Sequence, residues 1–164
     1  GYALTATGND VTLEDIARIA DVFYIGGTKV GAMFGEAVVF THGNMPKNFV
    51  TLVKQHGALL AKGWLLGVQF DTLFTDNLYC RIARRANDAA DRIREVLVER
   101  GYTLTFDTPT NQIFITLDNE TSERLQRSVR LGFMEKADDT HTVMRICTSW
   151  ATTDEQVEQL IALL

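Results

Sequence analysis

Long apolar runs alternate with amphipathic ones along this chain, and the change of period marks its elements. The densest block runs from Asp21 to Phe40. Val22-Phe-Tyr-Ile25 and Glu36-Ala-Val-Val-Phe40 read there as two buried strands around a glycine-flanked turn. Near-continuous apolar strands of this kind belong in the interior of a covered sheet. Two of them cannot bury both faces alone, so they call for further strands that this sequence does not visibly supply. Ahead of them, Thr12-Leu-Glu-Asp15 has capping-box form with a shorter acid. Leu13, Ile16, Ala17 and Ala20 share one face there, which predicts a short amphipathic helix.

After a loop at Asn44–Lys47 with Pro46, residues 49–74 are predicted helical but mostly apolar, with glycines at 57, 63 and 67. A segment apolar on nearly all sides is buried within its own chain or against another subunit, and both remain open. Asp76 starts the clearest helix: Leu78, Ile82, Ala86, Ala89, Ile93 and Val96 recur at steps of three and four until Gly101. Its arginines alternate with Asp88, Asp91, Glu95 and Glu99, the pattern of a solvated face and not of a nucleic-acid stripe.

The texture then changes. Strands are predicted at 102–106 and 112–117 around the turn Asp107-Thr-Pro-Thr-Asn111, a helix at 120–131, and strands at 133–136 and 143–148. Thr153-Asp-Glu-Gln156 is a capping box, and Val157, Leu160, Ile161 and Leu164 form the buried stripe of a last helix. The order describes a small α+β layer, with helices on one face of a mostly antiparallel sheet. The boundary with the first part is expected within the long helix, around residues 85–101.

Composition narrows the classes. With 164 residues, the chain forms one sizeable domain or two small ones, and 46% apolar content marks a folded protein. A net charge of −5 argues against nucleic acid or an anionic membrane as the main partner. Cys80 and Cys147 match no metal or redox spacing, so no metal site is expected and a reducing, cytoplasmic setting is the default. The apolar run from Ala58 to Phe70 is too short to span a bilayer and contains Lys62. An opening at Gly1-Tyr-Ala-Leu without methionine reads as a processed or truncated product.

Lys29 is the one charged side chain between Val22 and Gly35. If it is buried among those apolar neighbours, its ammonium loses hydration and the free amine becomes a nucleophile toward carbonyl compounds. If it is a solvated turn lysine, it carries no chemistry. A phosphate-binding P-loop is excluded, because Gly26-Gly27-Thr28-Lys29 lacks the four-residue gap that motif requires.

Four stretches, in order and spread over the chain, carry a resemblance. They are Asp21-Val-Phe-Tyr-Ile-Gly-Gly-Thr-Lys-Val-Gly-Ala32, Lys54-Gln-His-Gly-Ala-Leu-Leu-Ala-Lys-Gly63, Pro109-Thr-Asn-Gln-Ile-Phe114 and Arg145-Ile-Cys-Thr-Ser-Trp-Ala-Thr152. The sequence resembles the β-eliminating lyases and threonine aldolases that depend on pyridoxal 5'-phosphate (PLP), and it resembles only their C-terminal half. The resemblance implies an α/β fold. Residues 1–85 would be the C-terminal part of a PLP-dependent transferase-like large domain, and residues 86–164 a small α+β C-terminal domain. It implies that Lys29 is the lysine that binds PLP and that Thr28 and Lys62 contact its phosphate. Arg145 would bind the substrate carboxylate and His56 the substrate or ring.

Other fates stand beside these roles. They are a turn hydrogen bond for Thr28, snorkelling to solvent for Lys62, packing for His56, and for Arg145 an ion pair with Glu135, Asp138 or Asp139. The implied reaction is carbon–carbon cleavage of a β-hydroxy amino acid to glycine and an aldehyde. Elimination from aromatic amino acids is one alternative, and a non-catalytic interaction module is another. Relatives carry the phosphate loop, the ring-stacking residue and the aspartate beneath the ring in their N-terminal half. The partners implied are therefore an amino acid, that N-terminal half on the same or a separate chain, and further copies in a homodimer or homotetramer. This polypeptide alone is expected to be inactive.

Overall fold

The computed structural model describes residues 1–164 and divides into two compact units. One comprises Gly1 and Asp10–Arg81, the other Tyr2–Asn9 and Ile82–Leu164. No helix is long and apolar enough to cross a membrane.

In the first unit, helix α1 (Leu13–Ile19) begins at a complete capping box, in which Thr12 Oγ1 accepts from Asp15 N and the Asp15 carboxylate accepts from Thr12 N. Two of the helix's orphan amides are satisfied this way, which fixes its start. Strands β1 (Val22–Gly26) and β2 (Glu36–Phe40) pair antiparallel, with Tyr24 opposite Val38. They form a separate two-stranded sheet. The expectation of two buried strands is therefore corrected. Val22, Tyr24 and Val38 are exposed along one face, because no further strand or helix covers it. The expected continuous helical region also breaks. Helix α2 (Phe49–Gln55) stops where Gly57 takes φ +70°, and α3 (Trp64–Phe74) starts only after a turn through Lys62 and Gly63.

The connection between β1 and β2 is pinned by burial. Gly27 and Val30 are buried, and the amides of Val30 and Ala32 both donate to the Gly27 carbonyl at 3.0 Å. A Cβ on Gly27 would lie 2.7 Å from the Ala32 Cβ and 3.0 Å from Phe70 Cζ, so only glycine fits beneath the turn. From α3, Gln69 Oε1 accepts from the Met33 amide at 2.7 Å. Tyr79 donates its hydroxyl proton to the Gly26 carbonyl at 2.9 Å.

Helix α4 (Leu78–Glu99) starts two residues later than its pattern predicts, because Asp76 and Asn77 adopt left-handed φ of 50° and 57°. The unit boundary falls within it, after Arg81. In the second unit, β3 (Thr103–Leu104), β4 (Gln112–Asp118), β5 (Gly132–Lys136) and β6 (His141–Cys147) form an antiparallel sheet ordered β3-β4-β6-β5. Helices α5 (Asn119–Gln126) and α6 (Asp154–Leu163) are capped by Asp118 and by the Thr153–Gln156 box.

Strand alternation puts Ile113, Ile115, Leu117, Met144 and Ile146 on one face, where they pack with Ile93, Leu97, Leu125, Val157 and Leu160. This core follows the sequence pattern. Helix α5 ends earlier than expected, at Gln126, and Leu131 reaches the core from the loop before β5.

Gly27→Ala is expected to destabilise the first unit by about 1–3 kcal/mol, the usual cost of overpacking. Gly26→Ala, whose Cβ meets nothing within 4 Å, should leave it folded. Thermal melting of the two variants makes the comparison, and equal melting temperatures would contradict the packing account.

Candidate functional site

Lys29 stands at the centre of a single 3-10 turn, Thr28–Val30, between the two strands of the hairpin. The turn buries Gly27 and Val30 and exposes Thr28 and Lys29. The sheltered amine pictured from the sequence is thus corrected. The apolar side chains around Lys29 in sequence belong to strands whose outer face is bare, so they do not withdraw it from water in this chain. What the fold supplies is position. The lysine extends from a turn held by a buried valine, a glycine contact and two side-chain hydrogen bonds at its base.

Thr28 is the first residue of the turn and is exposed. Lys62 is exposed in the turn before α3, and its carbonyl accepts from the Leu65 amide at 3.0 Å. His56 is the C-terminal cap of α2, exposed, with its amide bonded to the Leu52 carbonyl. It is not a packing histidine. All four residues belong to the first unit. Their side chains, two lysines, one hydroxyl and one imidazole, have the chemistry to suit an aldehyde that carries a phosphate. Gly26 adds backbone that a flat ring can approach, since no atom lies within 4 Å of where its side chain would be.

Arg145 belongs to the second unit, where it lies on β6 between Phe114 of β4 and Gly132 of β5. Met144 and Ile146 on either side enter the core, which puts Arg145 on the opposite face of the sheet. Its Nη1 donates to Gln112 Oε1 at 3.2 Å, and its Nε is buried without a partner. Gly132 lies beside that nitrogen, and a Cβ there would sit 3.5 Å from Nε, in ordinary contact.

None of the acids weighed as partners takes the guanidinium. Asp138 spends Oδ1 on its own turn, accepting from Thr140 N at 2.6 Å, Thr140 Oγ1 at 2.7 Å and His141 N at 2.8 Å. Those bonds, the Thr140 hydroxyl first and then its amide, hold the Asp138 carboxyl down at about 2. Glu135 and Asp139 are exposed and form no salt bridge. The ion-pair alternative is therefore set aside. A buried N–H with no acceptor costs about 1–3 kcal/mol, and an incoming carboxylate would recover that cost. Gln112 carries no signal in the sequence that marks it as functional. Only the strand register brings it to Arg145 across 33 positions.

Comparison with known proteins bears on this arrangement. No protein-family profile matches the chain. It is 29% identical over 141 residues to the low specificity L-threonine aldolase of Pseudomonas aeruginosa, a match that takes in 85% of this chain and 40% of that protein. The chain thus spans about 40% of the length of the curated relatives it matches. Its fold superposes on the threonine aldolase of Leishmania major with a TM-score of 0.92 and 40% identity, covering 99% of this chain and 47% of that one. Serine palmitoyltransferase of Sphingomonas wittichii, at 16% identity and a TM-score of 0.63, shares the fold alone.

Asp138 has its carboxyl pKa depressed from 3.8 to about 2, so its contribution to stability is complete above pH 3.8 and is lost as pH falls through 2. A carboxyl chemical-shift titration of Asp138 is expected to show a midpoint near 2, and a midpoint near 3.8 would remove its turn bonds from the account. Asp138→Asn should abolish that acid-side loss of stability.

Proposed function

We propose that this chain, similar in sequence and fold to the threonine aldolases, is the C-terminal portion of a PLP-dependent aldehyde-lyase that cleaves β-hydroxy amino acids to glycine and an aldehyde. The match to the Leishmania threonine aldolase, 40% identical across 99% of the chain, supports the reading most. The exposed Lys29 on a pinned turn and the half-satisfied Arg145 supply the groups such a reaction needs. In this reading residues 1–85 finish the coenzyme-binding domain and residues 86–164 are the small domain.

Bound PLP supplies the electron sink for the pair left on Cα when the Cα–Cβ bond breaks. The chain's own residues do the rest. Lys29 Nζ would hold the coenzyme, and its amine would move protons to or from Cα. Thr28 Oγ1 would donate to the coenzyme phosphate, and Lys62 would neutralise its charge. Arg145 grips the planar carboxylate through two donors, which fixes the orientation of the Cα–Cβ bond. His56 accepts the proton of the β-hydroxyl as the aldehyde carbonyl forms, so the bond's electron pair goes to Cα and the hydroxyl proton to the imidazole.

The remaining part of the enzyme lies outside this chain, on the same or another polypeptide, and this piece alone is inactive. Exposed Trp64, Leu65 and Val68 on α3 suit a homodimer or homotetramer. Two free cysteines, Cys80 and Cys147, suit the cytoplasm.

In the complete protein, Lys29→Ala is expected to remove the visible absorbance of bound PLP and to lower kcat by about 10²–10⁴-fold or more. Arg145→Lys loses the planar fork and should raise the KM for L-threonine about 10- to 100-fold. Spectra and steady-state kinetics read both. Retained absorbance in the Lys29 variant would defeat the assignment.

A further inference from the structure

We infer that Gln112 is a positioning residue that aims the Arg145 guanidinium while leaving its charge unspent, so that the site selects a substrate bearing a free carboxylate. The inference rests on the reading of Arg145 as the carboxylate anchor.

Three observations carry it. Arg145 makes one side-chain hydrogen bond, from Nη1 to Gln112 Oε1, and meets no acid. An amide oxygen is a neutral acceptor, so it fixes the direction of one guanidinium arm without neutralising the cation. The Nε on the other edge is buried and unpartnered, in the neighbourhood of Gly132 on β5. An arginine held this way has one arm tied and a charged donor edge still short of an acceptor, and a carboxylate answers both charge and geometry.

Both residues belong to adjacent strands of one sheet, with Gln112 opposite Cys147 and Arg145 opposite Phe114. The arm is therefore tied to a rigid element and not to a loop. A carboxylate at position 112 would reverse the arrangement. It would pair with the guanidinium permanently and compete with the substrate for the same donors.

The test uses the complete protein with Gln112→Glu, Gln112→Met and Arg145→Lys. Glutamate and methionine are close to glutamine in size, and Gln112 is only partly buried at the start of β4, so both variants should melt near the wild type. Calorimetric titration with glycine and with glycinamide, which lacks the carboxylate, separates anchoring from general binding. Gln112→Glu is expected to weaken glycine about tenfold or more and to leave glycinamide unchanged, with KM for L-threonine rising and kcat nearly constant. Gln112→Met should weaken glycine a few-fold, through the loosened arm alone.

Equal loss for glycine and glycinamide, or a lowered melting temperature with kcat and KM failing together, would make Gln112 merely structural and overturn the inference. If Arg145→Lys abolishes the preference for glycine and Gln112→Glu does not, the inference fails while Arg145 keeps its role. If Arg145→Lys leaves the preference intact, the anchor itself is misplaced and both statements fall.

Discussion

A missing methyl group governs the first half of this molecule. Beneath the hairpin turn, Gly27 lies where any side chain would collide with Ala32 and Phe70, and that contact lets the chain double back tightly enough to bury Val30. Gln69 and Tyr79 then fasten the turn from either end through its backbone. Within the 3-10 turn itself, Val30 is buried and Thr28 and Lys29 face outward. A long flexible side chain becomes a directed one when its Cα cannot move, which is the property a covalent anchor requires.

Arg145 is placed by a different device. A strand has two faces, and the hydrophobic demand of Met144 and Ile146 fixes which one Arg145 takes. A slip of one residue would drive the guanidinium into the core, so the core that stabilises the sheet also orients the charge. The lysine turn belongs to the first unit and Arg145 to the second. In each case a packed apolar layer supplies the precision.

How much of this the sequence disclosed depended on range. The boxes at Thr12–Asp15 and Thr153–Gln156 were readable because a cap joins residues three apart. The core of the second unit was readable because β4 alternates and α4 repeats with a helical period. Local pattern failed where local chemistry was overruled. Asp76 and Asn77 look like an ordinary helix start, yet they take a left-handed turn. After Gln126 the chain runs Arg127-Ser-Val-Arg-Leu131, and Val129 and Leu131 pack on the core from a loop instead of continuing α5. The bare face of the hairpin misled most. Apolar strands signal burial, but Tyr24 and Val38 find nothing within this chain to lie against. Gln112 was out of reach for a simpler reason, since its partner is set by register between distant strands.

That uncovered hairpin also has a practical side. A two-stranded ribbon with open backbone on both outer edges and tyrosine and valine side chains bare on one surface is a template for stray strands. Produced by itself, the polypeptide would be sticky at high concentration, prone to precipitate and an attractive client for chaperones. The acidic net charge of −5 offers only modest colloidal protection against this. Yield in the soluble fraction would then report how well that ribbon is shielded.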